Sequence, residues 1–253
     1  MRGLSQAVWH CPAQMLFPPF DQRNVDIKLC EIGGTMQQRA ILAVLIMGAA
    51  LPAAAHPHMF VDAGVEVIFD SQGRAEALRI TWTYDDLTSL GIVSDRGMDP
   101  DFDGILTPEE LAAISGFDMA WDAGFEGDTY ALQAAAPLVL SGPSEWTASY
   151  ADAKLSSTHL RRFAAPVVIA AEPLVVQSYD PSYYVAYTIV SETVLTAGPG
   201  CAAQTFAPNR AAADDILQAS IAEMAGGGDA EGDFPAVGAA YADEVRVTCA
   251  VPS

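Results

Sequence analysis

Apolar and polar residues alternate from His58 to Phe69, with Ala63, Val65, Val67 and Phe69 on one face and Asp62 and Glu66 on the other. A period of two marks a strand with one buried face. Asp70-Ser71-Gln72-Gly73 reads as a turn, and Ala75 to Tyr84 resumes the alternation through Leu78, Ile80, Trp82 and Tyr84. The two segments predict a hairpin. Asp85 to Ser94 predicts a short helix, and a second helix is expected from Pro108 to about Ala123, with Leu111, Ile114 and Trp121 as its apolar stripe.

From Leu138 short strands return, over Leu138–Leu140, Trp146–Tyr150, Ser156–Phe163, Leu174–Tyr179 and Tyr183–Val190. Turn residues such as Gly142-Pro143 and Asp180-Pro181-Ser182 separate them. Asn209 is placed to cap a helix from Ala211 to Met224, with Leu217, Ile221 and Met224 on one stripe, and Gly226-Gly227-Gly228 ends it. A Gly/Ala/Asp-rich surface loop to Gly238 follows, then a last strand from Val245 to Val251. The expected class is α+β, mostly antiparallel sheet with an inserted helix-loop-helix over about 85–123 and one late helix.

The first 55 residues belong to a different pattern. Arg39 precedes an apolar run from Ala40 to Leu51, Pro52 interrupts it, and Ala53-Ala54-Ala55 supplies small residues for cleavage. That order is a secretory signal peptide over 36–55, too short to span a bilayer. Residues 1–35 precede a better start at Met36 and read as an over-extended N-terminus; the expected mature domain is 56–253.

The 253-residue chain carries a formal net charge of -20. The region before His56 holds four basic and three acidic residues, which leaves eight Lys/Arg against 29 Asp/Glu in the mature domain. Such a balance opposes nucleic-acid binding, which needs Lys and Arg against phosphates, and suits a periplasmic protein that meets cations. Cys201 and Cys249 are the only mature cysteines, and in an oxidising compartment two cysteines read as one disulfide. Their spacing is not C-x-x-C, so it offers neither a thioredoxin-like site nor a zinc ribbon.

The segment Asp99-Pro-Asp-Phe-Asp-Gly-Ile-Leu-Thr-Pro-Glu-Glu110 fits the twelve-residue EF-hand calcium loop. Asp99, Asp101 and Asp103 stand at positions 1, 3 and 5, Gly104 at the sharp turn, and the Ile105 carbonyl at position 7. Glu110 at position 12 offers two oxygens. Thr107-Pro-Glu-Glu110 is also a capping box, which starts a helix where such a loop needs one. The loop is single, so coupled sensor behaviour is not expected.

Cleavage after Ala55 would expose His56-Pro57-His58, an α-amine and two imidazoles within three residues. Imidazole suits zinc, nickel, cobalt and copper. Pro57 lacks the amide that a square-planar N-terminal chelate would deprotonate. The alternative is a frayed terminus with solvated histidines. The stretches HPHMFVDAGVEVIFD, LRITWTYDD, the acidic loop, QSYDPSYYVAY and a closing VRVTCA follow in that order. This resembles an uncharacterised Gram-negative periplasmic family labelled as the periplasmic component of an ABC-type transport system, paired with nickel/cobalt-type permeases and in some members with zinc uptake. The resemblance implies a transition-metal accessory protein with an inner-membrane permease as partner. Carried over, His56 and His58 match the opening motif and Asp85 the acidic residue after Trp-x-aromatic. His159, in STHLRRF, is a further candidate from the residues alone.

Two other readings stand beside this one. The chain is a calcium-stabilised structural or interaction module, or a copper enzyme using an N-terminal histidine. For the last, no aromatic platform for a substrate is visible. No Ser-His-Asp arrangement, phosphate-binding glycine loop or HExxH helix occurs, and Asp85-Asp86 lack partners for acid–base roles, so no enzymatic activity is expected.

Overall fold

A computed structural model describes residues 57–198, 200–224 and 235–250. The expected signal segment, the residues before it, and His56 lie outside this set.

The alternation read from the sequence forms β1 (Met59–Phe69) and β2 (Ala75–Tyr84), an antiparallel hairpin in register from Val61↔Tyr84 to Val67↔Leu78. Asp70 closes its turn by accepting the Gln72 and Arg74 N–H groups, while Gly73 takes φ 72°. The remaining strands are β3 (Thr129–Gln133), β4 (Ala136–Leu138), β5 (Ser144–Ala151), β6 (Lys154–Val167), β7 (Leu174–Ser178), β8 (Val185–Ile189), β9 (Val194–Thr196), β10 (Cys201–Phe206) and β11 (Glu244–Cys249). The helices are α1 (Asp86–Asp95), α2 (Pro108–Ile114), α3 (Arg210–Met224) and α4 (Gly238–Tyr241).

One sheet runs β5-β6-β2-β1-β8, with β9 also on β1; the second runs β10-β11-β7-β3-β4. β8 and β9 pair with β1 in parallel, and the other pairings are antiparallel. The chain is therefore α+β with mostly antiparallel, mixed sheet. The main core cluster joins Val61, Val65, Val67, Leu78, Ile80 and Trp82 of the first sheet to Ala131, Leu174, Val176, Val245 and Val247 of the second. Each fully buried aliphatic side chain contributes roughly 1.5–3 kcal/mol, so truncating Ile80 to alanine would cost about 2–5 kcal/mol.

The second helix is shorter than its apolar stripe predicts. It stops at Ile114, Ser115 leaves helical geometry, and Gly116 adopts φ 78°. Trp146 of β5 packs so close that a Cβ at 116 would lie 2.6 Å from its indole nitrogen. The helix thus ends at a left-handed glycine seated against Trp146, and Trp121 reaches the core from an irregular segment. Asn209 does cap α3, accepting the Ala212 N–H at 3.2 Å. Of that helix only Ala213 is buried, and Ile221 of the expected stripe is exposed.

Cys201 and Cys249 are direct cross-strand partners and form a disulfide. They are 48 residues apart, and closing a loop of that size in the unfolded chain stabilises the fold by about 4 kcal/mol on the chain-entropy model. Thiol titration of the denatured, unreduced protein should find neither cysteine free. The Cys201→Ala/Cys249→Ala variant should lose up to that amount in urea unfolding; titration of both thiols without reductant would contradict the bridge.

Candidate metal site

The helical insert begins at Asp85. Its Oδ1 accepts the Thr88 N–H at 2.9 Å, and its Oδ2 accepts the Thr88 hydroxyl at 2.8 Å and the Phe60 N–H at 3.0 Å. One carboxylate thus caps α1 and ties it to β1. Partial burial alone would raise its pKa; the bonds from Thr88 and Phe60 outweigh burial and hold it below the ordinary carboxylate value.

After α1 the chain turns through left-handed residues, with φ 64° at Gly97, 58° at Asp99, 57° at Phe102 and 76° at Gly104. The Asp99 carboxylate accepts the N–H groups of Asp103 and Gly104, at 3.0 and 3.1 Å, and Asp103 Oδ1 accepts that of Ile105 at 2.8 Å. These bonds curl the loop so that one carboxylate oxygen from each of Asp99, Asp101 and Asp103 falls within 4.8 Å of the others. Oxygens at 2.3–2.6 Å from a shared calcium lie no more than about 5 Å apart, so the three fit one ion. Leu106 of the loop is buried with Val93, Ile114 and Leu155, which seats the insert on β6.

Glu110 stands elsewhere. Its Oε2 accepts the Thr107 N–H at 2.7 Å and the Thr107 hydroxyl at 2.9 Å, while its own N–H donates to Thr107 Oγ1. The capping box and the ligand role compete for the same carboxylate, and here the box holds one oxygen. Ile105 lies in the loop with its side chain exposed.

The three described transition-metal candidates occupy different surroundings. His58 precedes β1, its N–H donating to the Tyr184 carbonyl and its ring 4.7 Å from the Tyr184 ring. Asp85 is two residues' reach from it through the Phe60 bond. His159 is fully buried on the inner face of β6, edge-on to Trp82 and Trp121. The structure brings His58 and Asp85 into one region and leaves His159 out of it, because His159 faces the core while Phe60 and Asp62, in phase with His58, do not.

His159 belongs to a polar layer between the sheets that the sequence did not announce. Among the described residues its two ring nitrogens have no hydrogen-bond partner, and burial, reinforced by the Arg161 charge, depresses its pKa to about 3. Arg161 donates to the carbonyls of Ser141, Glu126 and Thr129 and lies over Trp121. Asp118 accepts the hydroxyls of Tyr84 and Ser157, at 2.8 and 2.5 Å. Asp128, at φ 43°, accepts the Tyr187 hydroxyl at 2.9 Å and so links β3 to β8. Burial pushes its pKa up to about 7; the Tyr187 bond opposes this and the Asp180 charge adds to it.

The fold and loop define a two-sheet α+β protein with one clustered-aspartate insert, and among the described residues no helix is long and apolar enough to cross a membrane. The model of a family described as a protein of unknown function, DUF1007, matches residues 41–249, and the chain belongs to that family. No curated protein matches the chain.

Asp128 fixes the sign of a pH effect. Its folded pKa lies above its unfolded one, so the folded state binds the extra proton and this group's effect on stability worsens as pH rises from about 4 to about 7. Asp128→Asn keeps an acceptor for Tyr187 and removes the charge. It should gain on the order of a few kcal/mol over wild type at pH 8, less than half of that at pH 5, and nothing below the unfolded pKa, read from urea midpoints. An equal difference at both pH values would refute the assignment.

Proposed function

We propose that this protein is a periplasmic metal-binding accessory protein that holds calcium in its Asp99–Glu110 loop and serves a transition-metal transport system through its N-terminal histidines. The observation that carries the calcium reading is the convergence of the Asp99, Asp101 and Asp103 oxygens within 4.8 Å. Like charges held that close repel one another, and a divalent cation relieves the repulsion while taking the Ile105 carbonyl as a further ligand. Glu110 completes the set by releasing Thr107. The Cys201–Cys249 disulfide supports an oxidising compartment.

Transport rests on a narrower footing: the sequence resemblance, and the bond between Asp85 and Phe60, which holds a carboxylate beside the strand that His58 begins. Two imidazoles, the α-amine and a carboxylate accept zinc, nickel or cobalt. Without that chemistry the protein is a calcium-stabilised structural module with no transport role.

Glu110→Gln separates the two duties of Glu110, because glutamine still closes a capping box but loses the charge and the bidentate carboxylate. Wild type should melt at higher temperature in millimolar calcium than in chelator, and Glu110→Gln should lose most of that shift while keeping its chelator midpoint. Identical wild-type midpoints in both buffers would end the calcium reading. Calorimetry with zinc on protein beginning at His56 should show His58→Ala binding about tenfold or more weaker; equal binding would leave the structural module standing.

A further inference from the structure

The outer face of the second sheet carries a cleft that the metal reading does not use. Tyr130 of β3 and Tyr179, just past β7, are diagonal neighbours, their rings stacked at 4.0 Å and 14°. They line a cavity of about 180 Å³ together with Glu126, Gln177, Leu132 and Leu138. This is smaller than the roughly 300–1,000 Å³ of sites for drug-sized ligands, and it suits a single ring or a short chain. Its lining combines leucines, two tyrosines, a carboxylate and a carboxamide.

The exposed charge at the cleft is negative, and Arg161, the cation that acts on it, is buried. Glu126 is exposed and, among the described residues, has no ion pair through its carboxylate. Asp128 and Asp180 stand behind the tyrosines; with burial as the leading cause, Asp128, Glu126 and Asp180 all raise the Tyr130 pKa, so that phenol stays protonated. Arg161, whose charge reaches Glu126 and Tyr130, spends its guanidinium on the backbone carbonyls of Ser141, Glu126 and Thr129. An anion would meet the Glu126 carboxylate here. A cation would find that carboxylate and a free face of the stacked tyrosine pair.

We propose that this cleft binds a small organic ammonium ion with an apolar body, its nitrogen at Glu126 and its hydrocarbon against Tyr130, Tyr179 and Leu132. The assignment uses no residue of the aspartate loop or of the histidine region, so it stands or falls apart from the metal reading.

Benzylamine, charged at pH 7, and benzyl alcohol, its neutral counterpart, are suitable probes. Each is titrated into the purified protein, with disulfide intact and calcium present, while backbone amide shifts are followed by NMR. Benzylamine should move the amides of residues 126–132 and 177–179 with an affinity about tenfold better than benzyl alcohol. Glu126→Gln, a change at an exposed side chain, should erase that preference and leave the folded spectrum intact. Tyr130→Leu should weaken both probes. Equal affinity for the two probes, shifts centred elsewhere, or no saturable shift with benzylamine would overturn the proposal, as would an unchanged preference in Glu126→Gln.

Discussion

The structure depends on the covering of one face of the β1–β2–β6 surface. Val61, Ala63, Val65 and Val67 on β1 and Leu78, Ile80 and Trp82 on β2 all point the same way and are buried. A strand pair with one apolar face has no independent stability in water, and the second sheet supplies the cover through Ala131, Leu174, Val176, Val245 and Val247. A slip of one residue in the hairpin would turn the whole apolar set of the slipped strand to solvent. The turn bonds of Asp70 at one end and the Asp85 bond to Phe60 at the other hold the register.

The same constraint places the aspartate loop. Because β2 ends against β1 at Asp85, α1 starts there, and the burial of Val93, Leu106, Ile114 and Leu155 holds both flanking helices against β6. The segment after α2 then runs inward. Phe117 packs on Tyr84, Asp118 bonds Tyr84 and Ser157, and Trp121 lies against Trp82 and His159. The loop is thus one short helix away from the core aromatics, so ordering it by a cation would also steady the segment that fills the space between the sheets.

What the sequence made readable was local. The β1–β2 hairpin, the start of α1, the Thr107 capping box and the Asn209 cap depend on neighbours a few residues away. The misses depended on distant partners. β10 buries none of its side chains fully and exposes four of its six, and takes its place by pairing with β11 and sharing a disulfide; past α2, the left-handed Gly116 lies against Trp146, some thirty residues on. On β6 the inward positions read Leu155, Ser157, His159, Arg161 and Phe163. Three successive polar residues in the buried phase hid that face from a hydropathy reading and left His159 standing as a metal-ligand candidate. The aspartate loop and the capping box that engages Glu110 were both plain in the sequence; the coordinates show the box holding the Glu110 carboxylate that the loop would need.

The central claim is that the aspartate loop is a cation site whose completion draws Glu110 away from its cap. A crystal structure grown in calcium tests this directly. The account predicts one strong peak at about 2.3–2.6 Å from oxygens of Asp99, Asp101, Asp103, the Ile105 carbonyl and both carboxylate oxygens of Glu110, with the Glu110–Thr107 side-chain bond broken. A loop free of calcium at millimolar concentration, with Glu110 still bonded to Thr107, would contradict it.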